Sequence, residues 1–556
     1  AWIPGSYLIR DFSRHIQTIR GSAESGDDIT IAKIDDHSWR CAPCHGPLRV
    51  EYTVYAWDLS VRGAHFDASH AFFNGAAVFL GVDGGEHLPC LLELHPPHRA
   101  RGWKVYTSLP EAQGREGAAR RHGFGLYAAP DYDALIDHPV EMGTPQVVRF
   151  NAHGAQHEMV FTGTVTRLDL ARIAADAQRI CAAQIALFEP KTRRAPFLDS
   201  TDRYVFLATV TADGYGGLEH RASAALITAR HGLPVRGRTE PPDGYTAFLG
   251  LLSHEYFHTW NVKRIKPAAF APYDLSRPAH TRLLWVFEGF TSYYGDLMLK
   301  RSGVIDDAAY LRLLGKTISA VRRNSGRHKQ TVAESSFDAW TRYYKQDGNS
   351  PNALVSYYTK GALIALGLDL IIRQATQGRR SLDDVMRLLW RRFGRRFFTG
   401  TRGGRGVPEG AMPEIIQAAT GVDVRDFLDH HVDGCNDLPL DTLLASQGFR
   451  LVGKPNGVRP SLGIRTRGIS NEIHIVTVDD NGAGHTAGLA AGDVLLAIDG
   501  LRVTGQPGLE RLLDRHLAGD RVTLHVFRGD ALLALELTLA APEPIEYTLT
   551  ASPGRN

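Results

Sequence analysis

Cysteine is scarce in this chain. Five in 556 residues, at Cys41, Cys44, Cys90, Cys181 and Cys435, cannot build a disulfide framework. Cys41-Ala-Pro-Cys44 has C-x-x-C spacing, but no second ligand pair follows nearby, as a structural zinc would require. It reads as two small residues in a strand-connecting loop. An excess of either charge is also missing. The 63 basic and 60 acidic residues leave +3, which gives nucleic acid no electrostatic footprint. No run of 18 apolar residues occurs, so no membrane-spanning helix is expected. Compositional bias is missing too. With 43% hydrophobic and 22% charged residues, disorder and collagen are excluded. At roughly 100–200 residues per domain, the length implies about three or four domains.

The first residues, Ala1-Trp2-Ile3-Pro4-Gly5-Ser6-Tyr7, show no initiating Met, no basic segment and no apolar segment of the signal type. Whatever preceded Ala1 is expected to have been processed, truncated or left out. The low, odd cysteine number leans toward a reducing compartment. Cytoplasm is therefore the expectation, with periplasmic or secreted placement left open.

Residues 1–170 read as β-rich. Leu48, Val50, Tyr52 and Val54 alternate with Arg49, Glu51, Thr53 and Tyr55, a period of two, and Gly and Pro turns are frequent. The pattern then changes. Residues 169–187 carry helical spacing, residues 204–211 read as a strand, residues 231–244 as a loop, and a helix is predicted from about Tyr245. Residues 285–435 read as mostly helical, with 322–350 a polar loop excursion and 400–406 a Gly-rich flexible loop. After residue 460 strands return, with a hairpin predicted around Arg528-Gly529-Asp530. No fixed-period repeat is evident. The boundaries expected are 1–170 for an N-terminal β-rich domain, 171–445 for a mainly helical catalytic domain and 446–556 for a C-terminal β domain, a multidomain α+β chain.

The informative segment is His254-Glu255-Tyr256-Phe257-His258. Residues i and i+4 stack on one helix face. Two imidazoles there can converge on one Zn²⁺, with the carboxylate between them beside the metal's open position. By composition alone this pattern would arise ~0.05 times in such a chain. A catalytic zinc needs a third protein ligand, and Trp285-Val286-Phe287-Glu288-Gly289 follows downstream, with Glu288 thirty residues beyond His258.

This pair of motifs resembles the gluzincin (thermolysin-like) metallopeptidases, in which W-x-x-E-G follows H-E-x-x-H. The resemblance implies His254, His258 and Glu288 as ligands of one Zn²⁺ per chain, Glu288 on a second, antiparallel helix, and Glu255 as general base. Tyr357-Tyr358-Thr359-Lys360-Gly361 is similar to the Y-x-K-G stretch of the aminopeptidase N and leukotriene hydrolase relatives, which makes Tyr358 the oxyanion donor, with Tyr357 beside it. Tyr215-Gly216-Gly217-Leu218-Glu219-His220 resembles their G-x-M-E-N strand. Gly216 and Gly217 would let the backbone approach substrate closely, and Glu219 would bind its α-ammonium. His220 stands where Asn is usual and Leu218 where Met is.

Pro4-Gly-Ser-Tyr-Leu-Ile-Arg-Asp11, Gly216-Gly-Leu-Glu-His-Arg-Ala-Ser223 and His254-Glu-Tyr-Phe-His-Thr-Trp-Asn-Val-Lys-Arg-Ile-Lys-Pro267 narrow the resemblance to the glycyl aminopeptidase family, over nearly the whole chain. It implies removal of N-terminal Gly, then Ala, from peptides with a free N-terminus. That family normally carries strands before P-G-S-Y. Lys263 and Arg264 could face the substrate's carboxylate or the S′ side; the reading favoured is a solvated basic helix end that complements the helix dipole. His280, His430 and His431 have no ligand-spaced partners and read as structural or exposed.

Ser461-Leu462-Gly463-Ile464 followed by Gly488-Leu-Ala-Ala-Gly-Asp-Val-Leu-Leu-Ala-Ile-Asp-Gly500 resembles a PDZ domain of the protease-associated type. The carboxylate loop would be Ser461, Leu462 and Gly463, receiving a peptide C-terminus by strand addition; the alternative is a lid whose groove is unused. The function expected is thus a zinc-dependent aminopeptidase. The alternatives are a zinc endopeptidase and a PDZ-based peptide-binding protein with a vestigial peptidase site. Partners are peptides, with no nucleic acid and no membrane span.

Overall fold

The structure, a computed structural model, describes residues 2–98, 100–272, 274–399, 404–455, 457–542 and 545–551. Residues 400–403 of the expected Gly-rich loop lie outside the described residues. The fold is mixed α+β and divides into two compact units. One holds residues 1–279, 294–305 and 386–408; the other holds 280–293, 306–385 and 409–556.

The first unit is built on small antiparallel sheets and one five-stranded mixed sheet. Its strand order is Gln146–Ala152, Ala155–Thr162, Arg203–Thr211, Ser223–Ala229, Tyr215–Glu219. The three middle strands run parallel and are almost wholly buried, so they read as continuous apolar runs rather than as alternation. Tyr215–Glu219 pairs antiparallel with Ser223–Ala229, Gly217 opposite Leu226, and is the edge strand of its sheet. Helix Leu170–Phe188 begins at an Asp169 cap whose carboxylate accepts from the Arg172 N–H. Helix Tyr245–Phe257 starts where the sequence predicts. It has apolar residues all round, Phe248, Leu249, Leu251, Leu252, Tyr256 and Phe257 being buried, as expected of a helix enclosed on every side.

That helix is fastened from two sides. Gln184 donates from Nε2 to the Ser253 carbonyl at 2.8 Å and to its Oγ at 2.9 Å. Tyr256 places its hydroxyl 2.9 Å from His157 Nε2, while His157 Nδ1 lies 3.0 Å from the Ala155 carbonyl. This pattern fits a neutral imidazole, with Nδ1–H donating and Nε2 accepting. Burial pushes the His157 pKa down to about 3 and that of His138 down to about 4. Below pH 6.5 the unfolded chain therefore takes up protons that the folded chain refuses. Each buried His is expected to cost about 2 kcal/mol of stability between pH 7.5 and pH 5. Thermal unfolding at the two pH values tests this, with His157→Gln expected to shrink the acid loss by about 2 kcal/mol.

In the second unit, helices Asp307–Arg323, Thr359–Ala375, Met412–Thr420, Arg425–His431 and Leu440–Ser446 form the body. Residues 322–350 are not a loop excursion. They hold the short helices Ser325–His328, Val332–Phe337 and Asp338–Trp340, the second opened by a Thr331–Glu334 capping box. Those four residues spell a capping signature that the polar composition around it obscures. The chain then forms a sheet ordered Ile464–Ile469, Glu472–Val478, Val494–Ile498, Arg521–Arg528, Ala531–Thr538, with helix Gly505–Leu513 on it. Ile473, Ile475, Leu495, Val522, Leu524, Val526, Leu537 and Leu539 form its core. The predicted hairpin lies in register, Val522 opposite Leu537.

Candidate active site

The site grows from the end of helix Tyr245–Phe257, where His258 is the C-cap residue. His254 Nε2 and His258 Nε2 lie 3.0 Å apart. Two nitrogens bound to one tetrahedral zinc would stand about 3.3 Å apart. His258 Nδ1 lies 2.7 Å from the Asn261 carbonyl. That bond fixes the tautomer and leaves Nε2 as the bare lone pair, as ligating histidines require. The donor set therefore fits a borderline divalent ion. Helix Phe290–Arg301 packs alongside. Ser253 Oγ donates to the Gly295 carbonyl at 2.8 Å, and the Phe257 and Tyr294 rings stack at 4.9 Å. A Cβ on Gly295 would sit 3.6 Å from the His254 Cα.

The edge strand Tyr215–Glu219 brings backbone to this helix. A Cβ at Gly217 would fall 2.1 Å from Glu255 Oε1, whereas one at Gly216 would meet nothing within 4 Å. Glu219, Glu255 and His258 offer ligand-type atoms within 4.8 Å of one another, all three buried. Gly5 also lies against Glu219. Its φ is +97°, and a Cβ there would land 2.3 Å from Glu219 Oε1, so only glycine fits both the backbone and the space. The segment is held by Arg62, which donates to Ser6 Oγ at 3.1 Å and reaches the Gly217 carbonyl at 3.5 Å.

Lys263 and Arg264 are not a solvated helix end. They are 2% and 0% exposed. Lys263 donates to Asp137 Oδ1 at 2.8 Å, and Asp137 also takes His220 at 3.0 Å and Arg221 Nε at 3.0 Å. Burial alone would raise the Asp137 pKa. Lys263, with His220 and Arg221, outweighs it and holds the carboxyl well below the usual range. Arg264 pairs with Asp199 at 2.6 and 2.8 Å and donates to the Arg221 and Thr259 carbonyls, each at 2.9 Å. The network ties the residues after Glu219 to the turn after His258. His220 is part of it. Sequence reasoning missed Asp137 and Asp199, because nothing local marks a carboxylate 126 or 65 positions from its cation.

In the second unit Glu288 is buried. It sits not in regular helix but in one π-helical turn, Trp285–Gly289, that runs into helix Phe290–Arg301. Such turns recur at functional sites. The turn meets the start of helix Thr359–Ala375 backbone to backbone, a Cβ on Gly289 falling 2.6 Å from Gly361. Tyr358 is the N-cap of that helix. It is half-buried, its hydroxyl 3.0 Å from that of Tyr344. Tyr357 is fully buried, which separates two phenols that the sequence could not. His280 is exposed and stacks on Phe337, and His430 is exposed as well, as expected. Cys41 closes the short strand Trp39–Cys41, and Cys41 and Cys44 are free thiols.

Ser461, Leu462 and Gly463 lead into Ile464–Ile469, an edge strand of its sheet. The Gly463 N–H donates to Ser461 Oγ at 3.0 Å, and the Leu462 carbonyl accepts from Gly484 N–H at 2.7 Å. Gly463 has φ of +64°, with room for no Cβ against the Ala483 nitrogen at 2.9 Å.

An α+β body whose edge strand lies against a paired-histidine helix, followed by a PDZ sheet, defines a hydrolase of the peptidase class. Family models agree. That of M61 glycyl aminopeptidase matches residues 247–364, that of the peptidase M61 N-terminal domain matches 1–144, and that of the PDZ domain matches 460–539. The chain is 40% identical to an aminopeptidase N family protein from Idiomarina loihiensis whose crystal structure is known, over 99% of this chain and 92% of that one, with a TM-score of 0.92. It belongs to the M61 glycyl aminopeptidase family. It is also similar to an M1 zinc metallopeptidase from Deinococcus radiodurans, at 12% identity over 76% of this chain and 85% of that one, with a TM-score of 0.46; a likeness that weak says nothing about chemistry. A serine protease Do-like HtrA from Lactobacillus helveticus is 37% identical over 79 residues, 14% of this chain. The chain spans about a fifth of that curated relative's length. No helix among the described residues is long and apolar enough to cross a membrane.

Proposed function

We propose that this peptidase is a zinc aminopeptidase that removes small N-terminal residues, Gly and then Ala, from peptides. The observation that carries the reading is the convergence of Glu219, Glu255 and His258 within 4.8 Å. A carboxylate placed to hold an ammonium that close to a general base leaves room for one residue before the scissile bond. Register is then set from the free N-terminus. Gly5 against the Glu219 carboxylate narrows the space around that first residue, which supports a preference for small side chains.

His254, His258 and Glu288 would hold the metal. When bound, such an ion acts as a Lewis acid toward the attacking water and the scissile carbonyl. Glu255 takes the water's proton and returns it to the leaving amine. Tyr358 donates to the oxyanion. Tyr344, at 3.0 Å, can donate to Tyr358 and so turn the Tyr358 proton toward substrate. Glu219 accepts from the α-ammonium, and Gly216 and Gly217 line the substrate strand. Residues 461–463 at the head of an open edge strand support a groove for a peptide C-terminus.

The test is hydrolysis of a Gly-leading dipeptide beside its N-acetylated twin, with and without chelator. The free peptide is expected to turn over and the blocked one not, all turnover ending with chelator. Glu219→Gln is expected to cost about 10²-fold in kcat/KM for the free peptide, the scale of a lost charge-assisted anchor. Equal turnover of both peptides would instead identify an endopeptidase, and no turnover with zinc bound would identify a peptide-binding protein.

A further inference from the structure

A second cluster of ligand-type side chains lies in the N-terminal β region of the first unit. His65, Asp67 and His70 sit on the hairpin formed by Ala64–Phe66 and His70–Phe73, and their ligand-type atoms lie within 4.8 Å of one another. We propose that these three residues form a structural site for a borderline divalent cation, Zn²⁺ being the probe ion, distinct from the peptidase centre.

Each ligand is prepared by its neighbours. Asp67 Oδ1 accepts from the Ser69 N–H at 2.6 Å, from Ser69 Oγ at 2.6 Å and from the His70 N–H at 3.1 Å. That fixes the carboxylate and turns Oδ2 toward His65, whose Nε2 is 3.2 Å away. His70 Nδ1 lies 3.0 Å from Oε1 of Glu141, a residue 1% exposed. A carboxylate behind one ring nitrogen is the support that ligating histidines show, and it leaves the other nitrogen for the metal. The two imidazole rings lie 5.0 Å apart. His65 is 7% exposed, and its buried Nδ1 has no hydrogen-bond partner.

Imidazole with carboxylate suits zinc, nickel, copper or cobalt better than calcium or magnesium. The role is structural, since Arg62, three residues before His65, holds the Gly217 carbonyl and Ser6. A metal in the hairpin would stiffen the piece that supports the substrate strand.

The experiment counts zinc in the full chain after stripping with chelator, reloading and gel filtration. Wild type is expected to retain two per chain. A His254→Ala/His258→Ala double variant should retain one, and adding Asp67→Asn should remove it. Asp67→Asn alone should retain one and keep peptidase activity within about threefold. The double variant leaves the hairpin intact, so its count does not depend on how hairpin variants fold. It also separates this site from the proposed catalytic centre. One zinc retained there and lost with Asp67→Asn supports the hairpin site whether or not the chain hydrolyses peptides. Zero zinc in the double variant, or a second zinc indifferent to Asp67→Asn, overturns it.

Discussion

Glu255→Gln will reduce kcat for a Gly-leading peptide by 10²- to 10⁴-fold, the range that a positioned general base contributes, while KM moves little. The change keeps the size of the side chain and its place on helix Tyr245–Phe257 but removes its ability to take a proton at neutral pH. Glu255 is 5% exposed and lies beside the edge strand, its Oε1 where a Gly217 Cβ would be. Gln fits that space, so the helix, His254 and His258 stay in place. Zinc content and thermal stability measured beside kcat make the test specific. Full zinc, an unchanged unfolding temperature and lost turnover define a missing proton shuttle. Unchanged turnover would remove Glu255 from the chemistry. Loss of zinc with turnover would assign the residue to metal binding instead.

How much of this was legible in the sequence depends on how local the signal is. The i, i+4 histidines, the G-G-x-E strand and the Ser461–Gly463 loop are each written within a few residues, and the structure puts them on a helix end, an edge strand and a sheet edge. The hairpin around Gly529 was legible because two alternating runs flank a turn. Residues 322–350 were misread because their short helices carry too few apolar residues to show a period. The buried Lys263 and Arg264 were misread for a different reason. A cation after a helix is by default solvated, and only the fold shows that Asp137 and Asp199 have been carried in to meet it.

Those buried pairs explain a feature of the site that the motifs alone do not. Glu219 and Glu255 are two carboxylates brought close together, which like-charge repulsion opposes, so their supports must hold them there. Asp137 collects Lys263, His220 and Arg221 immediately behind Glu219. Breaking a buried pair by removing one partner costs about 3–5 kcal/mol, so the network resists rearrangement more than it stabilises the fold. It keeps strand and helix in one register, and the distance between Glu219 and Glu255 is what register controls.

That dependence gives the second large effect. Gly217→Ala is expected to lower kcat by on the order of 10²-fold, the scale on which a displacement of about 1 Å at a reacting group is felt. The new methyl would lie 2.1 Å from Glu255 Oε1 and 2.4 Å from its carboxyl carbon, closer than contact allows, so the carboxylate must swing away. The strand has little room to yield, because Gly217 is in register opposite Leu226, Leu218 is fully buried, and Glu219 is bounded by Gly5. Gly216→Ala is the internal control. It adds the same methyl one residue earlier on the same strand, where nothing lies within 4 Å, and is expected to keep kcat within about threefold, with any loss in KM. Strand propensity, which changes alike in both variants, cannot produce the contrast. Equal losses would mean that Gly217 serves the backbone of the strand, whereas a loss confined to Gly217→Ala, with zinc retained, ties the glycine to the position of the Glu255 carboxylate.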